Sequence, residues 1–374
     1  MKNIKFVLIA LSVLSLFNSC INNTKDNKET YTIQGKIVGA LKGEVFIKVH
    51  QETGWESIDS ATIVSGAFMI TGQVDQAKFG YLTSDAFKGG IPMFIENNTI
   101  NVSINVDSIQ NAEVKGLESQ RVYNDSKTKM STFDKTWQDF YYNTYRFMTD
   151  EEKAQNEDYL NHIYDSAQTV KKQFLITYLK ENRQNIASAQ IILDQEDALG
   201  IDDMIKTFEG LDPLALKSSS GEQLIKRIEI LKNTVVGKPL IDFVMNDTSG
   251  VAIKLSEATQ GKYVLVDFWA AWCSPCRKEN PNVLANYLKY HDKGFDVIGV
   301  SFDEKKDNWL KAIADDGLLW TQVSDLKGWN NAAGKLYGIR SIPQNILLDS
   351  EGIIIGKNLR GEELGDKLNE IFGE

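Results

Sequence analysis

The chain has 374 residues, 42% of them hydrophobic and 25% charged. That composition is ordinary for a globular protein of two to three domains, and it excludes both a disordered chain and a multi-span membrane protein. A balance of 41 Lys and Arg against 51 Asp and Glu gives a net charge of −10, so no nucleic-acid partner is expected, because phosphate binding needs a basic surface. Three cysteines and three histidines are too few for a disulfide-stapled fold or a four-ligand zinc module, and no metal site is expected.

The N-terminus reads as an address. Lys2 and Lys5 precede an apolar run from Phe6 to Phe17, shorter than the roughly 20 residues that cross a bilayer but suited to a signal-peptide core. Leu16-Phe17-Asn18-Ser19-Cys20 resembles the lipobox of bacterial lipoproteins, with Phe17 and Asn18 bulkier than that pattern's usual residues. The resemblance implies a signal peptide over 1–19, cut before Cys20, and a diacylglyceryl group on the Cys20 thiol that holds the chain on a lipid bilayer. Residues 20–30 are polar and charged and read as the lipidated tether. Export places the other two cysteines, Cys273 and Cys276, in an oxidising envelope compartment, facing the periplasm.

Residues 31–117 carry a β signal. Ile100, Val102, Ile104 and Val106 alternate with Asn101, Ser103 and Asn105, and Val45, Ile47 and Val49 repeat the period of two. Glycines punctuate the short runs, as in an antiparallel β sandwich or barrel. Nothing here groups catalytic residue types. His50, and His162 further on, read as isolated surface or core histidines, and Trp55 and Phe87 as core or rim residues.

Residues 118–234 turn helical. Leu160, Ile163, Tyr164, Ala167, Val170, Phe174, Leu175 and Tyr178 recur at three- and four-residue steps, which predicts one long amphipathic helix over 156–183. A second helical stretch is expected over 186–208, stopped by Gly210 to Pro213, and a third over 222–233, capped by Ser218 to Gly221. The aromatic stretch Phe133, Trp137, Phe140, Tyr141, Tyr142, Tyr145 and Phe147 is expected to pack against the other domains rather than to form a binding surface.

Residues 236–374 change pattern again. Tyr263 to Phe268 and Phe295 to Val300 are apolar runs separated by a helical segment, the signature of buried parallel strands in a βαβ unit. Gln344 to Leu348 and Ile353 to Ile355 flank the turn Asp349-Ser350-Glu351-Gly352, and Glu363 to Phe372 closes the chain as an amphipathic helix. The element order is β-α-β-α-β-β-α.

The chemistry falls at Trp272-Cys273-Ser274-Pro275-Cys276. A Cys-X-X-Cys pair serves zinc or redox chemistry, and the only histidine of this segment, His291, has no companion ligand. The pair ends a buried strand and opens a helix, whose first amides and dipole stabilise a thiolate at Cys273. Cys276 lies one turn on, shielded and within reach of a disulfide. Pro275 suits the first turn, where its missing N–H is not needed.

Asp267-Phe268-Trp269-Ala270-Ala271-Trp272-Cys273-Ser274-Pro275-Cys276-Arg277 resembles a thioredoxin active-site segment. Pro281 falls where that family kinks its helix, and Gly338-Ile339-Arg340-Ser341-Ile342-Pro343 resembles its cis-proline loop. An insertion over Asp303 to Asp325 and the acid Glu279 make the segment similar to the TlpA/ResA-like envelope oxidoreductases. The whole chain resembles Gram-negative lipoproteins in which a β domain of unknown function precedes a thioredoxin domain. One departure is Gln344, where many relatives carry threonine.

The resemblance implies an α/β thioredoxin fold and a membrane-tethered thiol:disulfide oxidoreductase. Cys273 attacks a substrate disulfide and Cys276 resolves the mixed disulfide. Asp267, buried behind the pair, relays the proton, with Glu279 as a second candidate. Trp269 packs and Trp272 shields the disulfide. Trp272, Ser274 and Pro275 contact substrate beside Ile342, whose backbone a cis Pro343 exposes to an extended strand. The redox-active disulfide is the only cofactor expected. The implied partners are protein dithiols and disulfides, apo-cytochromes c among them, and a membrane thiol reductase as electron donor. The expected direction is reduction of exported proteins. An oxidase or isomerase with the same pair, and a non-catalytic lipoprotein that binds an envelope ligand, are the alternatives. A shared label with the AhpC/TSA group is expected, but peroxide reduction is not: it would need a threonine three residues before Cys273, where Ala270 stands.

Overall fold

The computed structural model describes residues 29–51 and 54–373. The signal peptide, Cys20 and the tether up to residue 28 lie outside the described residues. The chain divides into two compact units, one ending at Leu117 and one beginning at Glu118.

The first unit is one barrel-like sheet of eight strands. They are β1 Tyr31–Val38, β2 Lys42–Gln51, β3 Gly54–Val64, β4 Ala67–Gly72, β5 Lys78–Ser84, β6 Phe87–Ile95, β7 Thr99–Asn105 and β8 Glu113–Lys115, in the order β6-β5-β2-β3-β4-β1-β7-β8. The period of two becomes a buried face: on β7, Ile100, Val102 and Ile104 are buried while Asn101, Ser103 and Asn105 face water. The antiparallel expectation is corrected at one pairing. β1 and β7 run parallel, from Thr32 opposite Thr99 to Val38 opposite Asn105, because the chain leaves β6 at one edge and returns across the sheet to the free side of β1. Trp55 is a rim residue, edge-on to His50 at 5.3 Å and to Tyr81 at 5.2 Å, and Phe87 is buried.

The second unit opens with helices α1 Glu118–Asn143, α2 Asp150–Gln155, α3 Glu157–Glu181, α4 Ala187–Asp194, α5 Glu196–Leu199, α6 Ile201–Glu209 and α7 Ser219–Asn233. The long helix expected over 156–183 is α3. The stretch over 186–208 is not one helix but three, α4 to α6, because Gln195 and Gly200 leave helical geometry, Gly200 with φ +72°. Ser218 caps α7, its hydroxyl accepting from the Gly221 N–H at 3.0 Å. The aromatic stretch was expected against the other domains, but what packing it shows is within the helical segment itself. Phe133 lies 5.4 Å from Phe174, but Tyr142 and Phe147 are 55% and 68% exposed.

The rest of this unit is the α/β fold. A small hairpin, β9 Val244–Asn246 with β10 Ala252–Lys254, and the single-turn α8 Leu255–Ala258 were not legible in the pattern. Then come β11 Tyr263–Trp269, α9 Ser274–Tyr290, β12 Phe295–Ser301, α10 Lys306–Asp316, β13 Thr321–Val323, α11 Ala332–Tyr337, β14 Gln344–Leu348, β15 Ile354–Lys357 and α12 Glu362–Phe372. The sheet order is β13-β12-β11-β14-β15, with β11 parallel to β12 and antiparallel to β14. β11 is central, and Val264 to Trp269 are all buried, as expected for a strand covered on both faces. α10 and β13 are the helix and strand expected from the insertion. Among the described residues no helix is long and apolar enough to cross a membrane.

Candidate active site

The site grows from the end of the central strand. β11 delivers the chain at Trp269, and Cys273 becomes the N-cap of α9. Its sulfur accepts a hydrogen bond from the Cys276 N–H at 3.2 Å. Cys276 follows within the first turn, and the two are joined as a disulfide with Cα atoms 5.3 Å apart. Pro275 sits in that first turn, and Pro281 lies inside the helix further on, where it leaves the carbonyl one turn back without its N–H. Cys273 offers the larger surface, 4% against 1% for Cys276, so an incoming thiol meets Cys273 first.

The cis-proline loop reaches this pair, and the segments around it are tied to one another. The Ile342–Pro343 peptide is cis and places the Ile342 carbonyl oxygen 3.7 Å from the Cys273 sulfur. Asn345, buried at the start of β14, ties that strand to the opposite loop: its side chain donates to the Leu359 carbonyl at 2.7 Å and accepts from the Leu359 N–H at 2.9 Å. Arg360, next in line, donates to the Pro343 carbonyl. Gln344 donates to the Ser341 hydroxyl at 3.2 Å, within the loop rather than toward the sulfurs. On the other side, the Ala271 N–H donates to Asp303 at 2.9 Å, and Ser301 donates to the same carboxylate at 2.8 Å. Ser274 and Pro275 are exposed beside the disulfide.

Trp272 is 55% exposed and its indole N–H points at the Phe302 carbonyl, 3.4 Å away. It does not lie alone, because Trp329 stands 6.0 Å from it and is itself 50% exposed. The two form an aromatic shelf beside the disulfide. Trp269 is a buried core residue, its indole donating to Gln322 at 2.9 Å.

Asp267 lies on β11 with its side chain enclosed. Burial, reinforced by the negative charge of Glu279, pushes its carboxyl up to about 7, while Arg360 pulls the other way. Glu279 is half-buried on α9 and held in place: its carboxylate accepts from Asn282 at 2.7 Å and from the Gly361 N–H at 2.9 Å. It is therefore a fixed partner of Asp267 and not a free first-turn acid. Arg277, the nearest cation in sequence, is paired with Asp316 at 2.6 Å through Nη2, and its Nη1 donates to the Ala271 carbonyl at 3.3 Å.

An acid poised near neutrality, a disulfide at a helix start, and a cis-proline loop beside it are parts suited to thiol–disulfide exchange. The comparisons agree. Residues 236–357 match the AhpC/TSA family, and residues 31–123 match a domain of unknown function, DUF4369. Over 137 residues the chain is 34% identical to the thiol-disulfide oxidoreductase ResA of Bacillus thuringiensis subsp. konkukian, covering 37% of this chain and 76% of that protein. The chain belongs to the ResA-like thiol-disulfide oxidoreductases. The thioredoxin-like protein YneN of Bacillus subtilis is 36% identical over 121 residues, 32% of this chain and 68% of that one. Among solved structures, the thioredoxin domain of a thiol-disulfide oxidoreductase from Bacteroides vulgatus is 39% identical over 37% of this chain and 99% of that chain, with TM-score 0.35.

The residues expected from the sequence, Cys273, Cys276, Asp267, Glu279, Trp272, Ser274, Pro275, Ile342 and Pro343, all belong to this one region. Sequence reasoning missed Asp303, Trp329 and Arg360, which reach the oxidoreductase's site only through tertiary contact. The raised Asp267 carboxyl has a measurable consequence. Between the ordinary carboxyl range and about pH 7 the folded chain keeps a proton that the unfolded chain has released, so stability falls as pH rises through that window. Asp267→Asn is expected to remove on the order of 4 kcal/mol of that fall, read as the difference between the two proteins in denaturant titrations from pH 4 to pH 8.

Proposed function

We propose that this oxidoreductase reduces disulfides of exported proteins at the periplasmic side of a bacterial membrane, where a lipid on Cys20 holds it. The direction rests on the sign of the charge around the sulfurs. A pair becomes oxidising when its thiolate is stabilised, and the span from about −270 mV in thioredoxin to about −120 mV in DsbA corresponds to roughly 7 kcal/mol. The start of α9 and the Cys276 N–H favour a thiolate by at most about 2 kcal/mol. The groups behind the pair are two acids, Asp267 and Glu279, against one cation, Arg360, and Arg277 is paired with Asp316. That balance opposes the thiolate and supports a reductant.

In the reducing direction the Cys273 thiolate attacks one sulfur of the substrate disulfide. The substrate S–S bond breaks, and its second sulfur leaves as a thiolate. Asp267 in its charged form takes the proton of Cys276, with Glu279 as a second acceptor behind it. The Cys276 thiolate attacks the Cys273 sulfur, closing the disulfide and releasing the other substrate sulfur. Two electrons have moved to the substrate, and the two leaving sulfurs take up the protons. Trp272, Ser274 and Pro275 form the approach to Cys273, and the backbone of Ile342, set by Pro343, pairs with an extended substrate segment. The oxidised pair then needs a dithiol from the membrane. Apo-cytochromes c are one substrate class that must stay reduced in an oxidising compartment.

Peroxide reduction fits less well, in spite of the family label, because Ala270 offers no hydroxyl before the reactive cysteine. Cys273→Ser is expected to abolish exchange, and Cys276→Ser to accumulate mixed disulfides through Cys273, visible on non-reducing gels as bands that dithiothreitol removes. Absence of such bands would contradict the assigned order of attack. Direction and address are tested together by acid quenching and thiol alkylation of fractionated cells. The wild-type pair is expected mostly reduced and membrane-bound, and Cys20→Ala released from the membrane or left uncleaved. A pair found mostly oxidised would favour the oxidase reading, and unchanged fractionation of Cys20→Ala would remove the anchor.

A further inference from the structure

The loop that carries Ile342 and Pro343 is not held by the α/β fold alone. Arg227, on α7 of the helical segment, has a side chain only 8% exposed. Its Nε lies 3.1 and 3.0 Å from the two oxygens of Glu196, its Nη2 donates to the same carboxylate, and its Nη1 donates to the Gly338 carbonyl at 2.5 Å. Glu196, at the start of α5, also accepts from Arg340 at 3.0 Å. Gly338 and Arg340 open the loop that ends at Pro343. One half-buried carboxylate of the helical segment thus bridges the cation beneath the loop to the cation on it.

A second observation shows that the close approach is built in. Gly338 ends α11 with φ +66°, and a Cβ there would lie 2.2 Å from Arg227 Nη1 and 2.8 Å from Ile230 Cγ2. Only glycine lets α7 and its guanidinium come this near the loop. The far end of the loop is fixed from the other direction, by Arg360 on the Pro343 carbonyl. The Ile342 backbone is therefore suspended between an attachment in the helical segment and one in the α/β fold.

We propose that Glu196 and Arg227 are positioning residues that set the Ile342 backbone beside the disulfide, so that the helical segment tunes exchange with peptide disulfides. The proposal deepens the strand-pairing role given to Ile342 above and rests on it. A buried ion pair with one partner removed leaves an uncompensated charge, and here that charge, Glu196, stays bonded to Arg340 of the substrate-pairing loop while the Gly338 carbonyl loses its donor. A disulfide without peptide groups makes no backbone pairing and is indifferent to the loop's position.

The test compares two substrates on the full chain: a synthetic peptide with one intramolecular disulfide, and hydroxyethyl disulfide, which has no peptide bond. Arg227→Gln is expected to lower kcat/KM for the peptide about tenfold, mainly through KM, and to leave hydroxyethyl disulfide within about twofold. Arg227→Lys is expected to recover part of the loss, since an ammonium reaches Glu196 but does not span both acceptors. Arg340→Gln, at a half-exposed position that leaves the Arg227–Glu196 pair intact, is expected to cost about threefold on the peptide alone and keeps the question open to test if Arg227→Gln does not fold. Equal losses on both substrates, following a fall in Tm, would show a merely structural role and overturn the proposal, as would no loss on either. If the wild type itself shows no preference for the peptide, the strand-pairing reading fails first. If that preference is present and survives in the variants, only the positioning role falls.

Discussion

A carboxyl group shut away from water, directly behind a disulfide, is the constraint on which the rest of this molecule turns. Asp267 can be buried because β11 is the central strand of its sheet, with β12 parallel on one side and β14 antiparallel on the other. A carboxylate there loses its hydration and faces Glu279, so it holds its proton to about 7. The same strand ends in the turn that makes Cys273 a helix N-cap. Fold and chemistry are coupled: a sheet that covered β11 less well would leave an ordinary ionised aspartate and a different environment for both sulfurs.

Much of this was readable because it is local. The cysteines, Trp272, Pro275, Asp267 and Glu279 fall within one short stretch, and adjacency in sequence alone puts them around one strand-to-helix junction. The hydrophobic runs located β11, β12 and β14, and the period of two located β7. What could not be read is non-local. The parallel pairing of β1 with β7 is a matter of topology, which alternation does not encode. Gly200 divides a helical stretch whose apolar spacing continues on both sides of it. Asp303 holds Ala271, Trp329 stands beside Trp272 and Arg360 holds Pro343, each across a sequence gap that single-residue types do not signal. The aromatic stretch before α2 was misread for a related reason. Aromatic content indicates capacity to bury area, but the hairpin of α1 and α3 leaves Tyr142 and Phe147 without cover.

The helical segment changes character once the contacts are drawn. By periodicity it is a set of amphipathic helices with no catalytic residues. In the structure it shares a compact unit with the α/β fold, and its buried Arg227 and half-buried Glu196 are tied to Gly338 and Arg340. Charges placed in low dielectric contribute little net stability but fix geometry, since few arrangements satisfy them. A loop that reads substrate backbone is a place where fixed geometry matters for rate.

The account stands or falls on the electrostatics of one pair of sulfurs. Two acids behind the disulfide, set against Arg360 and a paired Arg277, should outweigh one helix terminus and one amide donor. The measurement that asks this most directly is the reduction potential of Cys273–Cys276, obtained by equilibration in defined thiol/disulfide buffers and read by the fluorescence of Trp269 and Trp272. The account predicts a value of about −250 mV or lower. A value near about −120 mV would mean that the thiolate is strongly stabilised, and would contradict both the charge argument and the direction of electron flow drawn from it.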